Sequence, residues 1–206
     1  MSKPRQLDWD ALVRFAKYLK DKERYIQLFE YQESTTKDSN KYVNVWGDTD
    51  HAGCLETRST SGGVLMLNKH TVKTWSVAQD MLALSSGEAE YYGLVRCAAQ
   101  GLGVIALLLD MGIERKLKLK TDASVAKSIA SRRGLGKLRH IELNQLWLQE
   151  KVNSGKIEIE KVKGTENPAD ALTKYKDNEA IKIYAQWLNC IVISGRRVNA
   201  KTREKG

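Results

Sequence analysis

Read for apolar spacing, the chain opens with Leu7, Ala11, Leu12, Phe15 and Leu19 recurring every three or four positions. That period predicts an amphipathic helix, with Asp8 or Asp10 available as its cap. The next stretch, "RYIQLFEYQ", alternates as a strand does, and "ESTTKDSN" has the polar composition of a linker, so a main domain is expected from about Lys41. Strands follow at 42–46, 62–68 and 71–77, the last two joined tightly through "NKH", which predicts an antiparallel meander. Residues 85–111 carry a long helical period, opened by Ser85 or Ser86 as cap with Glu88 in the first turn. Glycines at 87, 93, 101 and 103 lower the intrinsic helicity of that stretch, so it must be held by packing on the sheet. A strand at 116–121, a helix at 123–132, a basic loop, a helix at 141–155, a strand at 156–162 and a helix opening at Asn167-Pro168 complete the pattern. Three antiparallel strands followed by strand–helix–strand units predict an α/β domain with a five-stranded mixed sheet.

Composition adds class. With 206 residues and 42% hydrophobic content the chain suits one domain with extensions. No apolar run of membrane-spanning length is apparent and the start lacks a secretory apolar core, so a soluble intracellular protein without a membrane partner is expected. Cys54, Cys97 and Cys190 are widely spaced and odd in number, which suits reduced structural thiols. Lys and Arg outnumber Asp and Glu by 34 to 25, a net charge of +9, which points to a polyanionic partner with nucleic acid first. Part of the excess lies in "SRRGLGKLRH" and "GRRVNAKTREKG", where a solvated loop and tail explain it equally well.

Four acids fall at element ends: Asp48 after the first strand of the meander, Glu90 early in the long helix, Asp122 after "KLKLKT", and Asp170 in "GTENPADALTK". Each alone is explained by capping or by the helix dipole. Together they sit where strand ends and the following helices meet at one edge of a sheet, the usual place for a site in open α/β folds. Carboxylates converging there need a cation between them, and an oxygen-only donor set suits Mg²⁺ or Mn²⁺. Two such ions about 4 Å apart activate water and stabilise the leaving oxygen of a phosphodiester. A basic exterior around an acidic centre fits a nuclease.

At these residues the chain resembles the ribonuclease H domain of Copia-type retrotransposon Pol polyproteins. The resemblance rests on "GDTDHAGCLETRSTSGGVLML", "TWSVAQDMLALSSGEAEYYGL", "KTDASVAKSIA", "LRHIELNQLWLQEKV" and "GKIEIEKVKGTENPADALTK", in the family's order over about residues 41–175. It implies a ribonuclease H-like fold with helices on both sheet faces over 41–176. Residues 1–40 then correspond to the end of a preceding reverse transcriptase, and 177–206 to a C-terminal element and basic tail. It also implies metal-dependent hydrolysis of the RNA strand of RNA–DNA hybrids, with two Mg²⁺ or Mn²⁺ ions held by Asp48, Glu90, Asp122 and Asp170. The family's pattern after its helical glutamate matches "YYGL" and selects Glu90, with Glu88 as the fallback; Asp50 is left to support the turn. The reverse transcriptase portion of the same polyprotein becomes the expected partner, in a cytoplasmic virus-like particle or the nucleus.

Arg58, Lys137, Arg139 and His140 are candidate phosphate contacts, and Ser61, Ser85, Ser86 and Ser124 candidate contacts to sugar and phosphate, against the plainer reading of caps and loop hydrogen bonds. Trp75 and Trp147 fall on apolar stripes and are expected in the core. Departures from the family are Ala123-Ser124 after the third aspartate, where an amide is common, and His51, where tryptophan is usual. Two other readings stand beside the nuclease: a non-catalytic nucleic-acid-binding relic, and a related DNA nuclease or transposase.

Overall fold

Alternation sets up the central strand. Along β2 (Tyr42–Asp50) Val43 and Val45 are fully enclosed between partly exposed neighbours; from Gly47 to Thr49 the alternation stops and every residue is buried. β3 (Thr60–Leu67) runs antiparallel to β2 and continues through Asn68-Lys69 into β4 (His70–Ala78), Asn68 taking a left-handed conformation with φ 56°. β5 (Lys116–Thr121) lies parallel to β2 on its other side, and β6 (Ile157–Lys161) parallel to β5. The sheet order is β4-β3-β2-β5-β6. The structure, a computed structural model, describes residues 3–20, 22, 24–31, 41–53, 58–134, 141 and 146–193.

α2 (Ser86–Asp110) crosses one face and buries Ala89, Tyr91, Leu94, Cys97 and Ala98 against Val43, Val45, Leu65, Leu117 and Leu119. α3 (Ser124–Ser131) and α4 (Trp147–Asn153) add Ala126, Ile129 and Leu148 to the same core, with Trp75 and Trp147 packed against it. Each fully buried aliphatic side chain contributes roughly 1.5–3 kcal/mol. The odd-numbered β3 residue Leu65 points into this core; its neighbours Val64 and Met66 point the other way, to Ala169 and Leu172 of a 3₁₀ helix (Pro168–Leu172) and Leu188 just after α5 (Asn178–Trp187). A mixed sheet in this order, covered on both faces, is the ribonuclease H-like fold.

Several expectations are corrected by the structure. β2 runs four residues past Trp46, because Gly47–Asp50 keep pairing with residues 60–63 of β3 after the pairing with β5 has stopped at Trp46. The helix expected at 141–155 is shorter in the structure: α4 spans Trp147–Asn153 with Leu146 as its N-cap, and residues 142–145 lie outside the described residues. The expected absence of any membrane-spanning length is corrected by α2, whose 25 residues are long and apolar enough by that measure, mean hydropathy reaching 1.6. Its apolarity serves the core: eleven of its residues are buried in the protein.

The flanks meet each other. β1 (Arg24–Gln27) pairs antiparallel with β7 (Cys190–Ile193) in a separate two-stranded sheet. α1 (Gln6–Leu19) forms as the period predicts, yet it buries no residue, and Leu7, Trp9, Leu12, Phe15 and Leu19 stay exposed.

Candidate active site

Asp48 is only 1% exposed. Across β3 it faces Gly62; on its other side the last β2–β5 pair is Trp46 with Lys120, so two further steps of the same register bring Asp48 level with Asp122, the residue that follows β5. This is the point where successive strands add on opposite sides of β2, and ligand sites form beyond strand ends at such a switch. The backbone of Gly164 lies close against the Asp122 carboxylate, with no room for a side chain between them.

α2 supplies the third acid. Ser85 caps it, its hydroxyl accepting from the Glu88 amide at 3.3 Å. The Glu88 carboxylate accepts from the Leu84 amide at 2.9 Å and from the Tyr92 hydroxyl at 2.6 Å, so Glu88 is engaged in building the helix start. Glu90 lies half a turn further on. One turn beyond it, Gly93 lets α2 approach β2: a Cβ there would collide with the Thr49 hydroxyl. Burial, then the charges of Asp48 and Asp122, push the Glu90 carboxyl up to about 8, with Lys174 pulling the other way. Three acids therefore share one field.

The fourth arrives on the opposite face. Asn167, fully buried, caps the 3₁₀ helix by accepting from the Ala169 amide at 3.1 Å and donates to the Gly47 carbonyl at 2.9 Å, next to Asp48. Asp170 is thereby held beside β2. Burial alone would raise its carboxyl, but hydrogen bonds from Lys174, Lys176 and Tyr184 outweigh it and hold the group below its usual value. Tyr184 donates to Oδ2 at 3.0 Å.

Lys174 is a residue of the site that motif spacing did not single out. Its Nζ stands 2.6 Å from Asp170 Oδ1 and 3.2 Å from Asp48 Oδ1, and Thr173 donates to Asp48 Oδ2. Burial opposes the ammonium charge, yet the two carboxylates keep its pKa above that of an ordinary lysine. The i, i+4 spacing from Asp170 was a visible signal; the link to Asp48 was not. Among the described residues no three His, Cys, Asp or Glu side chains close around a metal-sized centre. The donor set nonetheless fits a hard divalent cation. It is all oxygen, and the Glu90 carboxyl, raised first by burial and then by the charges of Asp48 and Asp122, stays raised against the pull of Lys174.

Of the other candidates, Ser61 is buried and accepts from Gln79 at 2.8 Å, Ser124 accepts from Lys161, Ser86 is exposed at the start of α2, and Arg58 is exposed. Lys137, Arg139 and His140 lie outside the described residues. Asp50 closes β2 with its carboxylate against the Gly53 backbone.

No protein-family model matches the chain. It is 27% identical over 156 residues to the retrovirus-related Pol polyprotein from transposon TNT 1-94 of Nicotiana tabacum, covering 71% of this chain. The chain spans 12% of that polyprotein's length. A secreted RxLR effector protein of Plasmopara viticola is 38% identical over 94 residues, 45% of this chain and 62% of the effector. Among solved structures, LC11-RNase H1, isolated from compost, superposes with a TM-score of 0.46 at 19% identity, covering 70% of this chain and 97% of that one. A superposition that loose adds nothing to strand order and direction, on which the fold rests. By sequence the chain's relatives include retrovirus-related Pol polyproteins of transposons, and by topology its fold is ribonuclease H-like.

Proposed function

We propose that this domain is a nuclease that hydrolyses the RNA strand of RNA–DNA hybrids, within a retrotransposon polyprotein that also carries its reverse transcriptase partner. The observation that carries the reading is the shared field of Asp48, Glu90 and Asp122 at the β2–β5 strand ends, with Asp170 tied to Asp48 through Lys174. Asp48, Glu90, Asp122 and Asp170 would hold two Mg²⁺ or Mn²⁺ ions, which when bound supply electrostatic stabilisation to attacking and leaving oxygens. The reaction adds water across the phosphodiester: the phosphorus gains the water oxygen, the 3′-oxygen leaves with a proton, and the products are a 3′-hydroxyl and a 5′-phosphate. Lys174 neutralises the Asp48–Asp170 pair and orients both carboxylates, and Asn167 fixes the helix that brings Asp170 in.

A second reading, a binding domain without turnover, is favoured by one feature. The Lys174 ammonium lies between Asp48 and Asp170, where a cation would otherwise balance them.

Purified protein incubated with labelled hybrid decides between the two. The nuclease reading expects cleavage that requires Mg²⁺ or Mn²⁺ and is lost by at least about a hundredfold in Asp48→Asn, in line with removal of an electrostatic catalytic group. Binding without cleavage in either metal sinks it and leaves the second reading.

A further inference from the structure

A cleft of about 1130 Å³ runs between α1 on one side and the 171–176 segment, α5 and β7 on the other. Arg14, Lys17, Lys20 and Lys22 line it from the N-terminal side, and Lys174, Lys176 and Lys182 from the other. Among the described residues that line it there is no Asp or Glu. The cleft adjoins the carboxylate site, since two of its lining residues, Lys174 and Lys176, also pair with Asp170. Its walls touch where the Arg14 guanidinium stacks over the Tyr175 ring, 5.2 Å from the centroid, and Tyr175 is 91% exposed.

We propose that this cleft binds the phosphate backbone of the hybrid duplex on its way to or from the carboxylate site, so that α1 is a substrate-gripping element. The proposal rests on the nuclease-substrate reading above. Charge selects the ligand: Lys174 and Lys176 are paired with Asp170 and Lys182 with Glu179, but Arg14, Lys17, Lys20 and Lys22 add four further positive groups along the N-terminal wall with no acid among the lining residues, and a nucleic-acid backbone offers phosphates at regular spacing. Position selects it again. A strand leaving the Asp48–Asp170 end passes Lys174 and Lys176 before it meets α1. The same picture gives α1 a reason to stand off the core, since its cleft-facing cations do not need burial to act on phosphate.

The test measures binding alone. Fluorescence anisotropy of a labelled RNA–DNA hybrid is followed in EDTA across a KCl series, for the full chain and for Arg14→Gln/Lys17→Gln/Lys20→Gln, with Lys182→Gln as a second variant on the opposite wall. The triple variant should bind about tenfold more weakly near 0.1 M salt, and its log–log salt slope should shrink by roughly 2–3, at about 0.9 for each phosphate that the protein no longer neutralises. Lys182→Gln should weaken binding about twofold, and it decides the matter if circular dichroism shows that the triple variant has lost α1. Affinity and slope equal to the parent in both variants overturn the proposal, as does tighter competition by polyglutamate than by unlabelled hybrid, which would assign the cleft to an acidic peptide. A parent chain that binds through this cleft yet never cuts overturns only the nuclease reading; cutting with unaltered variant binding overturns only the cleft.

Discussion

Glu90 ties the stability of the metal-free domain to pH. Its carboxyl ionises near 4.5 in a free chain and at about 8 in the fold, so across that interval the folded state holds a proton that the unfolded state has released. The contribution is complete below about 4.5 and is lost as pH rises through 8. Glu90→Gln should remove this loss: in EDTA, melts between about pH 5 and pH 9 should show the parent falling by ~2–3 kcal/mol relative to the variant, a figure discounted for partial solvent screening. Parallel pH dependence in both proteins would contradict the placement of Glu90 beside Asp48 and Asp122. Asp170 has the opposite sign, since its lowered value adds stability above about 3.8 that disappears as pH falls through that range. At this scale the sequence displayed the four acids but not their surroundings. Lys174 is 126 residues from Asp48, and no local period reports such a pairing.

Among elements, the 3₁₀ helix Pro168–Leu172 is anchored by one side chain. Asn167 satisfies the Ala169 amide and the Gly47 carbonyl at once, in a fully buried position. Asn167→Ala removes a cap and strands a buried carbonyl, each costing about 1 kcal/mol or more, so a loss of ~2–3 kcal/mol in denaturant unfolding is expected. Hybrid cleavage should fall with it, because Asp170 is no longer held against β2; full activity at reduced stability would deny Asp170 a role. The "NPAD" run was readable as a helix start, with proline at the first turn. That it would be a short 3₁₀ segment was not readable, because the bond to Gly47 comes from a strand 120 residues away. β2 shows the same limit: its alternation ends at Trp46, and pairing with β3 alone carries it on to Asp50.

For the whole molecule, stability is concentrated on one side of the sheet. Leu117 is fully enclosed between β5 and α2, and Leu117→Ala should cost about 2–5 kcal/mol through lost burial and a residual cavity. Phe15 is 58% exposed on α1, and Phe15→Ala should stay within about 0.5 kcal/mol. Chemical denaturation of the two variants checks the contrast; comparable losses would mean that α1 belongs to the folding core.

Sequence alone determined the order of elements from α1 to β6, the mixed α/β class, the amphipathic α1 and the identity of the four candidate acids, because apolar period and capping chemistry are local properties of a chain. Only tertiary structure decided that β1 and β7 pair, that α1 stays uncovered, that Glu88 is taken up by Leu84 and Tyr92 while burial and then the charges of Asp48 and Asp122 raise Glu90, and that Lys174 stands between Asp48 and Asp170. Those outcomes depend on which distant surfaces meet, and a carboxylate's partners and proton affinity are set by neighbours brought together through the sheet.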